Sequence, residues 1–114
     1  MATIYKICTA EEWSTAVAAG AFGGSTADRR DGFVHFSTIE QVAETAARHF
    51  ANAAGLVIVA FDDQALGSQL RYEQSRDGSP FPHLYDVLNP ELAIWSEPLP
   101  LGPDGRHIFP PRMR

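Results

Sequence analysis

LVIVAF, at residues 56–61, is a continuous apolar run bounded on both sides by turn-forming or charged residues. Six apolar residues without alternation predict a strand that is covered on both faces, in the centre of a sheet. Gly55 stands directly before the run, and Asp62 and Asp63 stand directly after it. We therefore expect residues 56–61 to form the core of a β-sheet against which the other elements pack.

A strand and a helix are predicted at the start of the chain. Residues 3–8 alternate in the manner of a half-buried strand. Thr9 and Glu12 have the spacing of a capping box, and the apolar positions that follow predict a helix over about 10–19. Residues 21–31 form a long polar connection, of the kind that often borders a binding site.

A second strand and a second helix precede the apolar run. GFVHFST, at residues 32–38, predicts a strand over about 33–37. Ser37 with Glu40, or the next pair along the chain, has capping-box spacing, so a helix is expected to follow. Its apolar stripe continues to Ala53, and a glycine then ends it.

The second half of the chain is predicted to contain mostly strands. Residues 69–73 alternate, and residues 92–98 form a last main strand whose proline suggests a sheet edge. The two prolines within residues 80–85 exclude a helix, and we expect an ordered loop there. A tail over 101–114 contains a turn and could add a short ribbon at residues 107–109.

This order of elements favours an α+β fold. Two helices in the first half and most strands in the second do not give the regular alternation of a doubly wound sheet. A chain of 114 residues is long enough for one domain without a metal or a disulfide. We therefore expect a single domain over 1–114, with a core over 1–100 and a tail containing proline and arginine over 101–114.

Composition restricts the partners of the chain. A net charge of -5 gives no overall basic field for nucleic acid or anionic membranes. Arg29-Arg30 and the arginines of the tail are a weak nucleic-acid signal, and solvated charges explain them as well. Cys8 is the single cysteine, and no basic start precedes a long apolar run, so we expect a cytoplasmic protein with no membrane segment.

His35 is the first candidate site residue. Strand alternation places Phe33, His35 and Ser37 on one face, which would suit the wall of a cleft. His35 could equally be a structural histidine that donates one ring proton to the backbone. A helix cap explains Ser37 without a nucleophilic role.

Two further groups carry candidate chemistry. Arg71 and Glu73 share one face of the predicted strand over 69–73, where they could form a solvated ion pair or line a cleft. His83 and Tyr85 lie two residues apart in a segment stiffened by proline, so both could face one pocket or simply cover the core. His35, Asp62, Glu73 and His83 could supply metal ligands, but no close ligand spacing is present, and we predict no metal site.

The chain also resembles a known family. From residue 4 to residue 99 it is similar to the bacterial domain of unknown function 952 family, through IYKI at residues 4–7, DGFVHFST at 31–38, YE at 72–73 and FPHLY at 81–85. More distantly, VHFS at 34–37 and VAFD at 59–62 resemble segments of RNA 2'-phosphotransferases, which have the ADP-ribosyltransferase fold. That resemblance implies a split pair of antiparallel sheets with a nicotinamide dinucleotide cleft between them.

The resemblance and the residues together lead us to expect a cleft for a nucleotide or another phosphorylated small molecule, with NAD or a related nucleotide as the candidate cofactor. Basic side chains would meet phosphate or carboxylate, aromatic rings would stack on a base, and His35 with Ser37 would fix a ribose. Glu73 would act electrostatically in a glycosyl or phosphate transfer, as the glutamate of many ADP-ribosyltransferases does. The expected cleft residues are Tyr5, Lys6, His35, Ser37, Arg71, Glu73, Arg76, His83 and Tyr85.

A non-catalytic binding or interaction module is the alternative. Lys6 stands where the phosphotransferases have a histidine, and a charged lysine cannot accept a hydrogen bond from a ribose hydroxyl. Whether the chain is an enzyme therefore stays open at the level of sequence.

Overall fold

The apolar run forms β4 (Leu56–Asp62), which lies inside a four-stranded antiparallel sheet. Its neighbours are β1 (Thr3–Thr9) and β7 (Ala93–Leu99). Ile58, Val59 and Ala60 are fully buried, because both faces of this strand are covered. The predicted central strand is confirmed, and so is the edge position of the last strand, since the strand order is β3-β1-β4-β7.

The structure is a computed structural model that describes residues 2–74 and 78–113. Within these ranges, the remaining elements are α1 (Ala10–Ala19), α2 (Thr26–Asp31), β2 (Val34–His35), β3 (Ser37–Thr38), α3 (Val42–His49), β5 (Leu70–Gln74) and β6 (Pro80–Leu84). Short 3-10 segments occur at Asp63–Gln69, Pro90–Leu92 and Pro111–Met113. The fold is a single α+β domain with two small antiparallel sheets.

The smaller sheet contains a strand that the sequence analysis did not predict. The order in this sheet is β2-β6-β5, so β6 occupies the segment that was expected to be a loop, and that prediction was wrong. β5 pairs along the whole of β6, whereas β2 pairs only with His83 and Leu84. Pro80 and Pro82 therefore lie in the part of β6 that does not pair with β2. A proline there lacks an N–H, but no hydrogen bond to β2 is lost.

Residues 33–37 do not form the single strand that was predicted. The chain changes sheets at Phe36, so β2 joins the smaller sheet and β3 pairs with β1 in the larger sheet. The predicted helix cap at Ser37 was also wrong. Gln41 is the N-cap of α3 and makes no side-chain capping bond, while Ser37 Oγ donates to Thr45 Oγ1 at 3.1 Å.

A short helix replaces part of the predicted polar connection. Ser25 and Asp28 form a capping box at the start of α2, and Gly32 ends the helix in the left-handed region at φ 88°. The expected 21–31 connection was therefore wrong from Thr26 onward. α2 has only 6 residues, and its sequence contains no apolar stripe from which a helix could be predicted.

Two core clusters lie on the two faces of the larger sheet. The cluster between this sheet, α1 and the smaller sheet contains Ile4, Cys8, Ala16, Phe22, Val34, Phe36, Val59, Phe61, Leu84 and Leu88. The cluster on the other face contains Tyr5, Ile7, Val42, Ala46, Leu56, Ile58, Ala60 and Leu99, with Phe109 and Met113 of the tail packed against it. In the tail, Leu101 and His107 form an isolated bridge, in agreement with the predicted short ribbon. Of the helices in the two described ranges, none has the length and hydrophobicity that crossing a bilayer requires.

Candidate functional site

His35 lies at the end of β2 with a carboxylate oxygen at each ring nitrogen. Its Nδ1 is 2.6 Å from Asp28 Oδ1, and its Nε2 is 2.9 Å from Asp31 Oδ2. The backbone N–H of His35 donates to the same oxygen of Asp28 at 3.2 Å. A carboxylate partner at each ring nitrogen fixes the orientation of the His35 ring.

Asp28 connects His35 to a buried lysine. Lys6 Nζ lies 2.8 Å from Asp28 Oδ2 and 3.0 Å from Oδ1, and 4% of Lys6 and 3% of Asp28 is exposed. Burial would raise the pKa of the Asp28 carboxyl, but the hydrogen bond from His35 and the Lys6 ammonium outweigh it and hold that pKa well below its usual range. The carboxylate therefore stays ionised. It accepts hydrogen bonds from the Lys6 ammonium, from the ring and the backbone of His35, and from the backbone of Ser25.

A glycine makes room for this carboxylate. Gly24 has φ 108°, and a Cβ there would lie 2.8 Å from the Cβ of Asp28. A larger residue would be strained in its backbone and would collide with the helix that carries Asp28.

A second histidine and carboxylate lie on the neighbouring strands. Glu73 Oε1 accepts from His83 Nδ1 at 2.8 Å and from the Tyr85 hydroxyl at 2.6 Å. The Tyr85 and His83 hydrogen bonds hold the pKa of Glu73 below its usual value, and the bond to Glu73 raises the pKa of Tyr85. Burial lowers the pKa of His83, the bond to Glu73 opposes that shift, and the nearby His35 adds to it.

Phe33 brings the two histidines together. Its ring is stacked on His83 at a centroid distance of 4.0 Å and an angle of 27°, and it lies 4.6 Å from the ring of His35 and 5.2 Å from that of Tyr85. The rings of His35 and His83 are 5.6 Å apart, edge to face. We call Phe33, His35, Glu73, His83 and Tyr85 the two-histidine cluster.

Arg71 adds a positive charge at the border of this cluster. Its guanidinium lies 5.3 Å from the centre of the Tyr85 ring, a cation–π distance. Within residues 2–74 and 78–113, no carboxylate forms an ion pair with it. Arg71 is exposed and can therefore meet a ligand anion from solvent.

An open groove of about 360 Å³ adjoins the cluster. Asp28 and Phe33 belong to its lining, so the groove and the cluster share a wall. The remaining lining residues are Gly23, Arg29, Gly32, Val34, Leu84, Asp86 and Val87. A ligand in the groove would meet the ring of Phe33, the guanidinium of Arg29 and the carboxylates of Asp28 and Asp86.

The structure brings five of the predicted site residues together: His35, Arg71, Glu73, His83 and Tyr85. It places Phe33 beside His35, as strand alternation predicted. Lys6 reaches His35 only through Asp28.

Two predicted site residues, Tyr5 and Ser37, lie elsewhere. Tyr5 is buried in the other core cluster, 6.0 Å from the ring of Trp95, and this burial raises its pKa. Ser37 pairs with Tyr5 and is likewise buried. Neighbouring residues of a strand point to opposite faces, so Tyr5 and Lys6 could not line the same cleft. Arg76 lies outside the described residues.

Asp28 and Asp31 are the site residues that sequence reasoning missed. The signal that could have found them is the Ser25/Asp28 capping-box spacing, followed by Gly32 as a helix stop. Asp62, which the sequence offered as a metal ligand, accepts from the backbone of Gln64. In the two ranges that the structure describes, no three or more histidine, cysteine or acidic side chains are grouped to hold a metal ion.

Comparison with known families decides the classification. The model of the family described as "Protein of unknown function (DUF952)" matches residues 7–96. The chain belongs to the DUF952 family. No curated protein matches this DUF952 chain.

Solved structures support the assignment of the fold. The crystal structure of protein CC0527 from Caulobacter crescentus is 41% identical in sequence, covers 97% of each chain and gives a TM-score of 0.93. The solution NMR structure of the same protein is 44% identical, covers 93% of this chain and 91% of that one, and gives a TM-score of 0.83. A crystal structure of a double mutant of CC0527 gives a TM-score of 0.92 at 40% identity over 97% of each chain. This DUF952 chain is therefore similar to CC0527 over nearly its whole length.

Proposed function

We propose that this DUF952 chain binds a nucleotide-like, phosphorylated small molecule at the two-histidine cluster. The observation that carries the proposal is the exposed Arg71 guanidinium, which has no ion pair with a carboxylate within residues 2–74 and 78–113. It lies over the exposed ring of Tyr85, beside the partly buried rings of Phe33 and His83. A guanidinium binds phosphate through two parallel hydrogen bonds, and the rings offer a stacking surface for a base. Lys6 takes no part in binding phosphate here, because its ammonium is buried and paired with Asp28.

The proposal extends to a transferase related to ADP-ribosyltransferases, using NAD or a related nucleotide. The resemblance of VHFS and VAFD to segments of the phosphotransferases supports this extension, and so does the lowered pKa of Glu73. A carboxylate that is ionised at neutral pH can stabilise a cationic sugar during glycosyl transfer. The free, buried Cys8 fits a reducing compartment, and we place this function in the cytoplasm.

A non-catalytic binding module is the second candidate. The observation that favours it is the pair of hydrogen bonds that His83 and Tyr85 donate to Glu73 Oε1. These hydrogen bonds hold the three side chains in fixed positions, which suits a rigid binding surface. Incubation with NAD separates the two candidates: release of nicotinamide that Glu73→Gln abolishes supports a transferase, and binding without turnover supports the module.

Calorimetric titration tests the binding proposal. The ligands are AMP, ADP-ribose, NAD and inorganic phosphate, and the variants are Arg71→Ala and Arg106→Ala. Arg106 is the matched control, because it is an exposed arginine of the tail. We expect the Arg71 variant to lose at least about tenfold in affinity, since a hydrogen bond to a charged group contributes roughly 1.5–3 kcal/mol. The absence of binding by all four ligands, or equal losses in both variants, would refute the proposal.

A further inference from the structure

The two histidine–carboxylate pairs of the cluster differ in one respect. Both ring nitrogens of His35 are occupied, by Asp28 on one side and Asp31 on the other. His83 uses only Nδ1, which faces Glu73. Its Nε2 has no hydrogen-bond partner among residues 2–74 and 78–113, and 14% of the side chain is exposed to solvent. Both ring nitrogens of His35 are therefore hydrogen-bonded, whereas one ring nitrogen of His83 has no hydrogen bond within the described ranges.

The hydrogen bond to Glu73 determines which nitrogen of His83 is basic. An ionised carboxylate accepts hydrogen bonds and cannot donate them, so we assign the proton to Nδ1. The lone pair of a neutral His83 then lies on Nε2, the nitrogen that no described residue contacts by a hydrogen bond. A carboxylate that holds an imidazole in one tautomer and orientation is the arrangement by which enzymes prepare a histidine to accept a proton.

We propose that His83 accepts the proton of a ligand hydroxyl through Nε2, with Glu73 as its positioning residue. The inference rests on the proposed function, because the hydroxyl belongs to the phosphorylated ligand that Arg71 would hold. The ligand hydroxyl first donates a hydrogen bond to Nε2. As its oxygen attacks the sugar carbon or phosphorus of the proposed transfer, the O–H bond breaks, the oxygen's electrons form the new bond, and the proton binds Nε2. The bond from that carbon or phosphorus to its leaving group breaks at the same time, and its electron pair departs with the leaving group. The resulting imidazolium keeps its Nδ1–H bond to Glu73, whose negative charge balances the new positive charge.

The charges around His83 set the pH range of this step. Glu73 and Arg71 face the cluster from β5, His35 from β2 and Asp31 from α2, while Tyr85 follows β6. Burial against the Phe33 ring and the nearby His35 lower the pKa of His83, and the two carboxylates oppose this. His83 is therefore neutral, and able to accept a proton, at and above neutral pH.

Nitrogen-15 NMR of the histidine side chains tests the assignment without any activity assay. In the unaltered chain we expect the Nδ1–H tautomer at His83. Glu73→Gln keeps an acceptor oxygen, so we expect the same tautomer with a lower pKa, because the carboxylate charge is gone. Glu73→Ala removes the acceptor and should abolish the tautomer preference. His49→Gln, on the exposed face of α3, is the matched control and should change neither value. An Nε2–H tautomer in the unaltered chain would overturn the proposal.

A pair of ligands tests the contact with a hydroxyl. AMP carries two ribose hydroxyls, and 2',3'-dideoxy-AMP carries none. We expect both to bind through Arg71, but only AMP to shift the Nε2 resonance of His83. Binding of both with identical Nε2 shifts would refute the role of His83 and leave the proposed function standing. If neither ligand binds while ADP-ribose, NAD and inorganic phosphate also fail, the proposed function itself is refuted.

Discussion

Replacing Asp28 by asparagine removes one negative charge from the interior and leaves the shape of the side chain unchanged. Asp28 lies 2.8 Å from the Lys6 ammonium and 2.6 Å from His35 Nδ1, and both Asp28 and Lys6 are buried. Breaking a buried ion pair by removing one partner costs about 3–5 kcal/mol, because the other charge stays buried without compensation. For a chain of this size that is roughly a 12–20 °C lower Tm, at about 4 °C per kcal/mol.

Urea unfolding followed by tryptophan fluorescence measures this loss. Asp31→Asn is the matched control, because Asp31 contacts the same histidine with a side chain that is 33% exposed. This variant should keep a free energy of unfolding close to that of the unaltered chain. Lys6→Met combined with Asp28→Asn should recover much of the stability that Asp28→Asn loses, since no unpaired charge remains. A loss below about 1 kcal/mol in Asp28→Asn, or no recovery in the double variant, would refute the buried pair.

The same pair predicts how stability depends on pH. The folded pKa of Asp28 is lower than its unfolded value near 3.9, so its ionisation stabilises the fold above about pH 4. That contribution is lost as pH falls below the unfolded value toward the folded one. The stability advantage of the unaltered chain over the double variant should therefore shrink between about pH 5 and pH 2. A constant difference over this range would contradict the lowered pKa.

Three further predictions concern the cluster and its surroundings. Phe33→Ala should raise the pKa of His83, because less burial opposes the charged imidazole; an unchanged NMR titration would contradict the stacking. Tyr85→Phe should raise the pKa of Glu73 by removing a hydrogen bond to its carboxylate, and carboxyl-carbon NMR would show an unchanged value if that bond is absent. Ser37→Ala should cost roughly 1 kcal/mol in chemical unfolding and leave the His83 titration unchanged, because Ser37 bonds to α3; an altered His83 titration would place it in the site.

The parts of the fold that were predicted correctly depend on local signals. β4 is a continuous apolar run, α1 begins with a complete Thr9/Glu12 capping box, and Pro98 marks an edge strand. β6 was missed because its prolines argue against a strand. Only the folded chain shows that β2 pairs with His83 and Leu84 and not with the prolines. The split of residues 33–37 between two sheets is a tertiary effect, since nothing in the alternation marks Phe36 as the crossing point.

The candidate site, like the fold, was predicted where the signal is local and missed where it depends on tertiary contacts. His35 and Glu73 were found because polar side chains at period-two positions on strands are visible in the sequence. His83 was found because it lies two residues from Tyr85 in a segment that its prolines stiffen. Asp28 was missed because an aspartate in a polar segment is usually solvated, and only the folded chain shows that it is buried under Lys6. Tyr5 was included in error, although alternation with Lys6 already separates the two faces.

A crystal structure of the chain with AMP bound tests the central claim most directly. The account predicts the phosphate within hydrogen-bond distance of the Arg71 guanidinium and a ribose hydroxyl within that distance of His83 Nε2. It also predicts that the side chains of His35 and Asp28 keep their positions, because they are already fixed by Lys6 and Asp31. AMP bound away from Arg71 and His83, or an empty cluster at saturating AMP, would contradict the account.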